Sequence, residues 1–278
     1  MKRTLLRTAR SAALIYALLL VFVGCAQRLL IYHPIHRTEA AMLGEARALG
    51  CEPWRDAGGA IIGWKSARNG PRAVNRLVVF DGNTGYALHR RHYLRGFEKL
   101  DRGGLWEVFL FEYPGYGARP GGISEPSFIA AGDSALAALA QADSRPVFLA
   151  GESLGSGLAS ALAGRHPEQV RGVFLVTPYA RLADVGARQF PFLPVKLLLH
   201  DRWDNVAALR AYRRPLAMLI AGHDEVVTAA QGRALYNNYA GPKRLWVEEG
   251  ATHNTVDFDP DAPWWREVSD FLLSQQAQ

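Results

Sequence analysis

The chain has 278 residues, 49% of them hydrophobic and 21% charged, with seven tryptophans, so one α/β domain with a large core accommodates it and a disordered character is excluded past the N-terminus. The net charge of +6 is scattered in single residues and short groups with no basic stripe interleaved with aromatics, which argues against a nucleic-acid partner and leaves an anionic membrane surface as the better one. Two cysteines, Cys25 and Cys51, make no disulfide framework, and no metal-ligand spacing is present.

The N-terminus is basic, with Lys2, Arg3, Arg7 and Arg10, and "SAALIYALLLVFVGCAQ" (11–27) then runs uncharged to Arg28. Three readings compete. A stretch of about 17 apolar residues is at the short end for a membrane-spanning helix. A basic start before a short apolar region also opens a secretory signal, and "FVGC" resembles a bacterial lipoprotein processing site that makes Cys25 a lipidation position, with Phe22 where leucine is usual. The third is a buried helix of a soluble protein. Both membrane readings keep the cationic end cytoplasmic and put the remaining chain on the other side. The chain thus divides into 1–27, an anchor or lipoprotein signal, and 28–278, the folded domain.

Residues 28–50 read as a connector with "LIYHP" and a short helix over 38–49. "EPWRDAGGAIIGWKSARNG" reads as two strands around Gly58 and Gly59, then a turn at Asn69, Gly70 and Pro71. From there β-branched apolar runs alternate with helical stretches. Strands are predicted at 76–81, 106–112, 146–150, 172–177, 215–222 and 244–249, and helices at 85–99, 125–141, from Ser153 to about Arg165, 229–239 and 263–276. Continuous apolar strands alternating with helices call for a mostly parallel sheet of about eight strands covered on both faces. The longest interruption, 178–214, holds "QFPFLPVKLLLHDRWDN" and is read as a short cap.

"LAGESLGSG" (149–157) carries the chemistry. G-x-S-x-G alone is a weak signal, but here it follows a predicted strand and opens a predicted helix. A sharp strand–turn–helix needs small residues two places either side of the serine, exposes the Ser153 hydroxyl, and aims the N–H of Leu154 at the same point. A serine hydroxyl needs a base to take its proton. "AGHDEVV" follows the seventh predicted strand and "GATHN" the eighth, which offers Asp224 as the acid and His253 as the base in the order serine, acid, histidine. Glu225 is the alternative acid and His223 the alternative base. His33, His36, His89, His92, His166 and His200 read as structural or solvated. Strand ends of a parallel sheet share one ligand-binding edge. The loop "FDGNTG" (80–85) follows the third strand, where the N–H of Asn83 is the candidate second oxyanion donor.

Together "FDGNTG", "EYPGYGARPG", "GESLG", "AGHDEVV" and "GATHN" resemble the α/β-hydrolase superfamily, and within it the membrane-anchored branch that includes α/β-hydrolase domain-containing proteins 13 and 17. The resemblance covers about residues 28–273. It implies an α/β-hydrolase fold, a serine hydrolase without cofactor, a Ser153–Asp224–His253 triad and an N-terminal tether. It names no substrate beyond a small acyl or lipid-like one, and no oligomeric state. One departure stands out: the family usually carries His-Gly-Asn at the oxyanion loop, and here Asp81 precedes Gly82, an acid that weakens oxyanion binding if it points inward or anchors the loop if it does not. Two other readings differ in class. A catalytically inactive binding protein keeps the fold without turnover, and "GSGLAS" (155–160) partly matches the Gly-rich turn of a nucleotide-binding oxidoreductase, without an acid at the next strand end to bind a ribose.

Overall fold

The computed structural model describes residues 2–67, 73–100 and 104–274. The turn predicted at Asn69, Gly70 and Pro71 lies outside the described residues, as do the last two positions of the helix predicted at 263–276.

Eight strands form one sheet: β1 (Cys51–Arg55), β2 (Ile61–Ser66), β3 (Asn75–Phe80), β4 (Trp106–Phe111), β5 (Val147–Glu152), β6 (Val170–Val176), β7 (Leu216–Ala221) and β8 (Lys243–Glu248). Their spatial order is β8-β7-β6-β5-β3-β4-β2-β1. The β1–β2 and β2–β4 pairings are antiparallel and the others parallel. The chain enters at the antiparallel edge through β1 and β2, skips a place to β3, turns back to fill it with β4, then reverses past β3 to β5 and on to β8. That reversal leaves a crevice at the carboxyl ends of β3 and β5. Register places Phe80 beside Gly151, Glu152 beside Val176 and Ala221 beside Glu248, so the loops after these strands leave along one edge.

Each parallel strand feeds both faces. Along β3, Val78 and Phe80 join one core while Leu77 and Val79 join the other; along β5, Val147 and Leu149 oppose Phe148 and Ala150. This two-sided burial is why the strands read as unbroken apolar runs. Helices α4 (Glu125–Ala142), α5 (Gly155–Arg165) and α9 (Ala229–Asn238) cover the first face. Helices α2 (Glu39–Ala48), α3 (Arg91–Leu100) and α10 (Trp264–Ser274) cover the second. The predicted helix at 85–99 begins as a 3₁₀ turn, Ala87–Arg90, and becomes α-helical at Arg91.

Two findings differ from the expected organisation. Helix α1 runs Lys2–Ile31, through the predicted boundary at residue 27 and into the predicted connector. "RLLI" continues an apolar helical run with no capping residue, and the helix stops just ahead of Pro34, whose ring disfavours the helical conformation of the residue before it. At 30 residues it is about 45 Å long, and its length and composition suffice to cross a membrane. Next, His33–Pro34 pairs in parallel with Thr84–Gly85, which ties the chain leaving α1 to the loop after β3. The segment 178–214 forms three short helices, α6 (Leu182–Gln189), α7 (Val195–Leu198) and α8 (Asn205–Ala208).

Helix α3 lies close to α10 because Gly96 has no side chain: a Cβ there would meet the Trp265 ring at 2.4–2.7 Å. Trp265 in turn packs edge-on against Phe97 and Tyr93. Gly96→Val is expected to lower unfolding free energy by about 1–3 kcal/mol through overpacking, measured by urea denaturation, with the valine's helix propensity too small to offset it.

Candidate active site

The loops after β5, β7 and β8 bring Ser153, Asp224 and His253 into one hydrogen-bonded chain. Ser153 Oγ lies 3.0 Å from His253 Nε2, and His253 Nδ1 lies 2.7 Å from Asp224 Oδ2. The Asp224 side chain is fully buried, and its other oxygen accepts the N–H groups of Val226 (2.9 Å) and Val227 (2.7 Å). These bonds occupy one carboxylate oxygen and leave the other for the imidazole. The N–H of His223 donates to the Ala251 carbonyl at 2.9 Å, which joins the acid's loop to the histidine's loop. His223 and Glu225, the alternative base and acid, are exposed.

Ser153 sits at φ 51°, a left-handed conformation costing about 1–3 kcal/mol in a non-glycine residue. Its surroundings hold it there. Its N–H donates to the Val176 carbonyl at 2.9 Å, and its carbonyl accepts both the N–H (3.0 Å) and the Oγ (2.6 Å) of Ser156. Asn205, from the cap segment, donates to Ser156 Oγ at 3.1 Å. The flanking glycines are steric requirements: a Cβ at Gly151 would meet the Gly155 carbonyl oxygen at 2.3 Å, and one at Gly155 would meet the Phe80 carbonyl oxygen at 2.3 Å. The "GSGLAS" run is therefore packing. Gly155 faces strand carbonyls, Gly157 faces Tyr179 and Trp203, and Ser160 is buried, so no part of it is open to a dinucleotide.

The N–H groups of Leu154 and Asn83 have no hydrogen-bond acceptor among the described residues, while Leu154, Asn83, Ser153 and His253 all line one cavity. The loop carrying Asn83 is held through its carbonyls. Tyr113 Oη donates to the Asp81 carbonyl at 2.5 Å, Tyr116 Oη to the Asn83 carbonyl at 2.8 Å, and the His33 N–H to the same carbonyl at 2.8 Å. Asn83 Nδ2 donates to the Ile31 carbonyl at the end of α1. With the carbonyls tied back, the Asn83 N–H is the free donor of the loop. Both tyrosines belong to "EYPGYG", whose Gly117, at φ 55°, lies where a Cβ would strike the Glu112 carboxylate.

Asp81 resolves the departure noted in the sequence: it anchors the loop. Its Oδ1 accepts the Gly82 N–H at 2.6 Å and pairs with the Arg90 guanidinium at 2.6 Å. Arg90 also pairs with Glu152, the residue before Ser153, at 3.1 Å, and His92 approaches the same carboxylate at 3.6 Å. One guanidinium thus bridges the Asn83 loop and the serine turn. Burial pushes the Asp81 carboxyl up, to about 7, against the pull of Arg90; Glu152 is raised by burial but pulled further down by Arg90 and His92, ending below the usual carboxylate range. Sequence reasoning missed Arg90, Glu152, Tyr113 and Tyr116. The acid preceding Gly82 was the one signal available, since a buried acid needs a cation.

The cavity has a volume of about 660 Å³ and is lined mostly by apolar side chains. Its walls come from the cap (Leu182, Val185, Phe190), from the triad loops, and from Leu19, Val23, Leu30 and Ile31 of α1. A polar clasp fixes α1 to the cap. Gln27, buried, donates to the Leu198 carbonyl (2.9 Å) and accepts the His200 N–H (2.7 Å). Arg28 forks onto both oxygens of buried Asp201 at 3.0 Å, Tyr32 Oη donates to Asp201 at 2.9 Å, and the Trp203 indole donates to Tyr32 Oη at 3.0 Å. Cys25 is exposed on α1; Cys51 is buried, and burial pushes its thiol up to about 11. No group of side chains suited to a metal ion occurs among the described residues.

Comparison with known proteins agrees with this architecture. The α/β hydrolase fold family matches over residues 75–199. An uncharacterized protein of Mycobacterium tuberculosis is 31% identical over 248 residues, covering 87% of this chain and 85% of the relative. Alpha/beta hydrolase domain-containing protein 17B of Xenopus tropicalis is 31% identical over 217 residues, covering 77% and 72%. Among solved structures, a Pyrococcus furiosus esterase superposes with a TM-score of 0.65 at 16% identity, covering 88% of this chain and 98% of the esterase.

Glu112 supplies a pH test of the scaffold under the Asn83 loop. Its carboxylate accepts the Ala87 N–H at 3.0 Å and the Trp64 indole N–H at 3.3 Å, and burial pushes its pKa up to about 8. A carboxyl raised in the fold favours folding fully at low pH and loses that advantage as pH rises toward its folded value, because the unfolded chain ionises first. Glu112→Gln is therefore expected to gain stability relative to wild type between about pH 5 and pH 8, and to show a constant difference below about pH 4, measured by denaturant unfolding across that range.

Proposed function

Because this chain belongs to the α/β-hydrolase family, we propose that it is a membrane-tethered serine hydrolase that cleaves an ester, thioester or amide of an acyl substrate through an acyl-enzyme. The observation that carries the reading is the Ser153–His253–Asp224 hydrogen-bonded chain opening onto an apolar cavity. The tether is α1, which has the length and composition of a membrane-crossing helix.

In this reading His253 Nε2 takes the proton of Ser153 Oγ as the oxygen attacks the substrate carbonyl carbon. The carbonyl π electrons move onto oxygen, and the N–H groups of Leu154 and Asn83 hold that oxyanion, helped by the positive end of α5. Collapse expels the leaving group, which receives its proton from His253. Water then gives a proton to His253 and attacks the acyl carbon, and a second collapse frees the acid and restores Ser153. Asp224 stays ionised, fixes the tautomer that leaves Nε2 free to accept, and stabilises the imidazolium. Arg90 is a positioning residue: it holds the Asn83 loop at a fixed distance from the serine turn, so the oxyanion site is assembled before substrate arrives.

Ser153→Ala is expected to abolish labelling by a fluorophosphonate probe and turnover of a short p-nitrophenyl ester; undiminished labelling would overturn the assignment. Asp224→Asn is expected to lower kcat by about 10⁴ while leaving the fold intact, as judged by circular dichroism, because an amide in place of the carboxylate favours the wrong tautomer. A wild-type protein that takes no ester and no probe is the inactive binding protein instead.

A further inference from the structure

The anchor helix is also a wall of the cavity. Leu19, Val23, Leu30 and Ile31 face the space that reaches Ser153, and Leu19 and Leu30 remain about half exposed, so the cavity opens along the side of α1. The cap tip lies beside the same helix: Tyr16 Oη donates to the Phe192 carbonyl at 2.7 Å. Phe192 is 86% exposed and Leu197 is 83% exposed, both on the part of the cap that lies beside α1.

Geometry then fixes the level of a bilayer. The part of α1 before Tyr16 rises only about 21 Å and carries Lys2, Arg3, Arg7 and Arg10. A hydrocarbon core is about 30 Å thick. A bilayer crossed by α1 must therefore extend past Tyr16 toward Val23, along the stretch that faces the cap, and Phe192 is carried into lipid with it. The cavity mouth between α1 and the cap then faces acyl chains and not water. At about 660 Å³ the cavity holds the volume of roughly twenty waters, or about as many methylene groups.

Resting on the hydrolase reading above, we infer that α1 is the outer wall of an acyl-chain site, and that the substrate is a long-chain acyl ester drawn sideways from the bilayer, its chain lying against Leu19 and Val23 and its carbonyl at Ser153. The anchor is then part of substrate recognition as well as a tether.

The test uses the full chain in phosphatidylcholine vesicles with p-nitrophenyl esters from butyrate to palmitate, and in parallel a diazirine-bearing palmitic acid as a photo-crosslinking probe. Wild type is expected to show kcat/KM rising at least tenfold from butyrate to palmitate, and to crosslink within residues 16–31. Val23→Trp, which fills the cavity from α1, is expected to lower the palmitate-to-butyrate ratio at least tenfold and to reduce the crosslink. Leu19→Trp does the same from a more exposed position, should Val23→Trp not fold. Leu5→Trp, on the same helix but away from the cavity, keeps the wild-type ratio. A Val23→Trp or Leu19→Trp protein with the wild-type ratio and crosslink overturns the inference, as does a wild type indifferent to chain length. Absence of turnover at every chain length, with a crosslink that Val23→Trp still reduces, removes the hydrolase reading and supports the acyl-chain site.

Discussion

The site depends on a close approach of backbone at the turn after β5. Ser153 is held at positive φ, and the two glycines beside it lie where any Cβ would overlap a carbonyl. Phe80 and Asp81, at the end of β3, put their carbonyl oxygens where a Gly155 side chain would sit, so only glycine lets the turn lie this close to β3. β3 and β5 are neighbours only because the chain reverses its direction of travel through the sheet between them. The strand order thus supplies the crevice, the glycines allow the backbone into it, and the strain places the hydroxyl at the surface of the cavity. Without the neighbouring strand the same nine residues would have no reason to hold this conformation.

Around that turn, the chain organises charge to hold loops. Asp81, buried, and Arg90, Glu152 and His92, half-buried, form a cluster linking the loop of Asn83 to the residue before Ser153. A buried carboxylate without a cation is unfavourable, and here one guanidinium serves two. The tyrosines of "EYPGYG" complete the fixing by taking carbonyls of the same loop. The Asp81 and Asn83 carbonyls and the Gly82 N–H are all bonded, which leaves the Asn83 N–H for the oxyanion site of the proposed mechanism.

The fold was largely legible in the sequence because strands buried on both faces produce unbroken apolar runs, and those runs, counted in order, gave the sheet its eight members. Ser153, Asp224 and His253 were legible because each follows a strand in a short loop rich in glycine or flanked by it. What could not be read were contacts between residues far apart in sequence with no periodic signal. Arg90 lies in an unremarkable basic stretch, and nothing local announces that it reaches both Asp81 and Glu152. Gln27 and Arg28 read as the end of an apolar segment, whereas in space they meet residues near 200. The division at residue 27 followed from composition, which records where charge resumes; the helix continues until the approach of Pro34.

The clasp at Gln27, Arg28 and Tyr32 sets what any cleavage of the N-terminus would do to the cavity. Peptidase cleavage ahead of Cys25 would leave all three clasp residues in place and remove Leu19 and Val23, producing a mature form with its cap still fastened but one side of its cavity missing. Trimming to residue 33 to obtain a water-soluble version would go further, stripping Asp201 of its cation and leaving a buried carboxylate beneath the cap. Retained, cleaved and trimmed forms are thus three different receptacles built on one sheet, and a specificity measured on one of them does not transfer to the others.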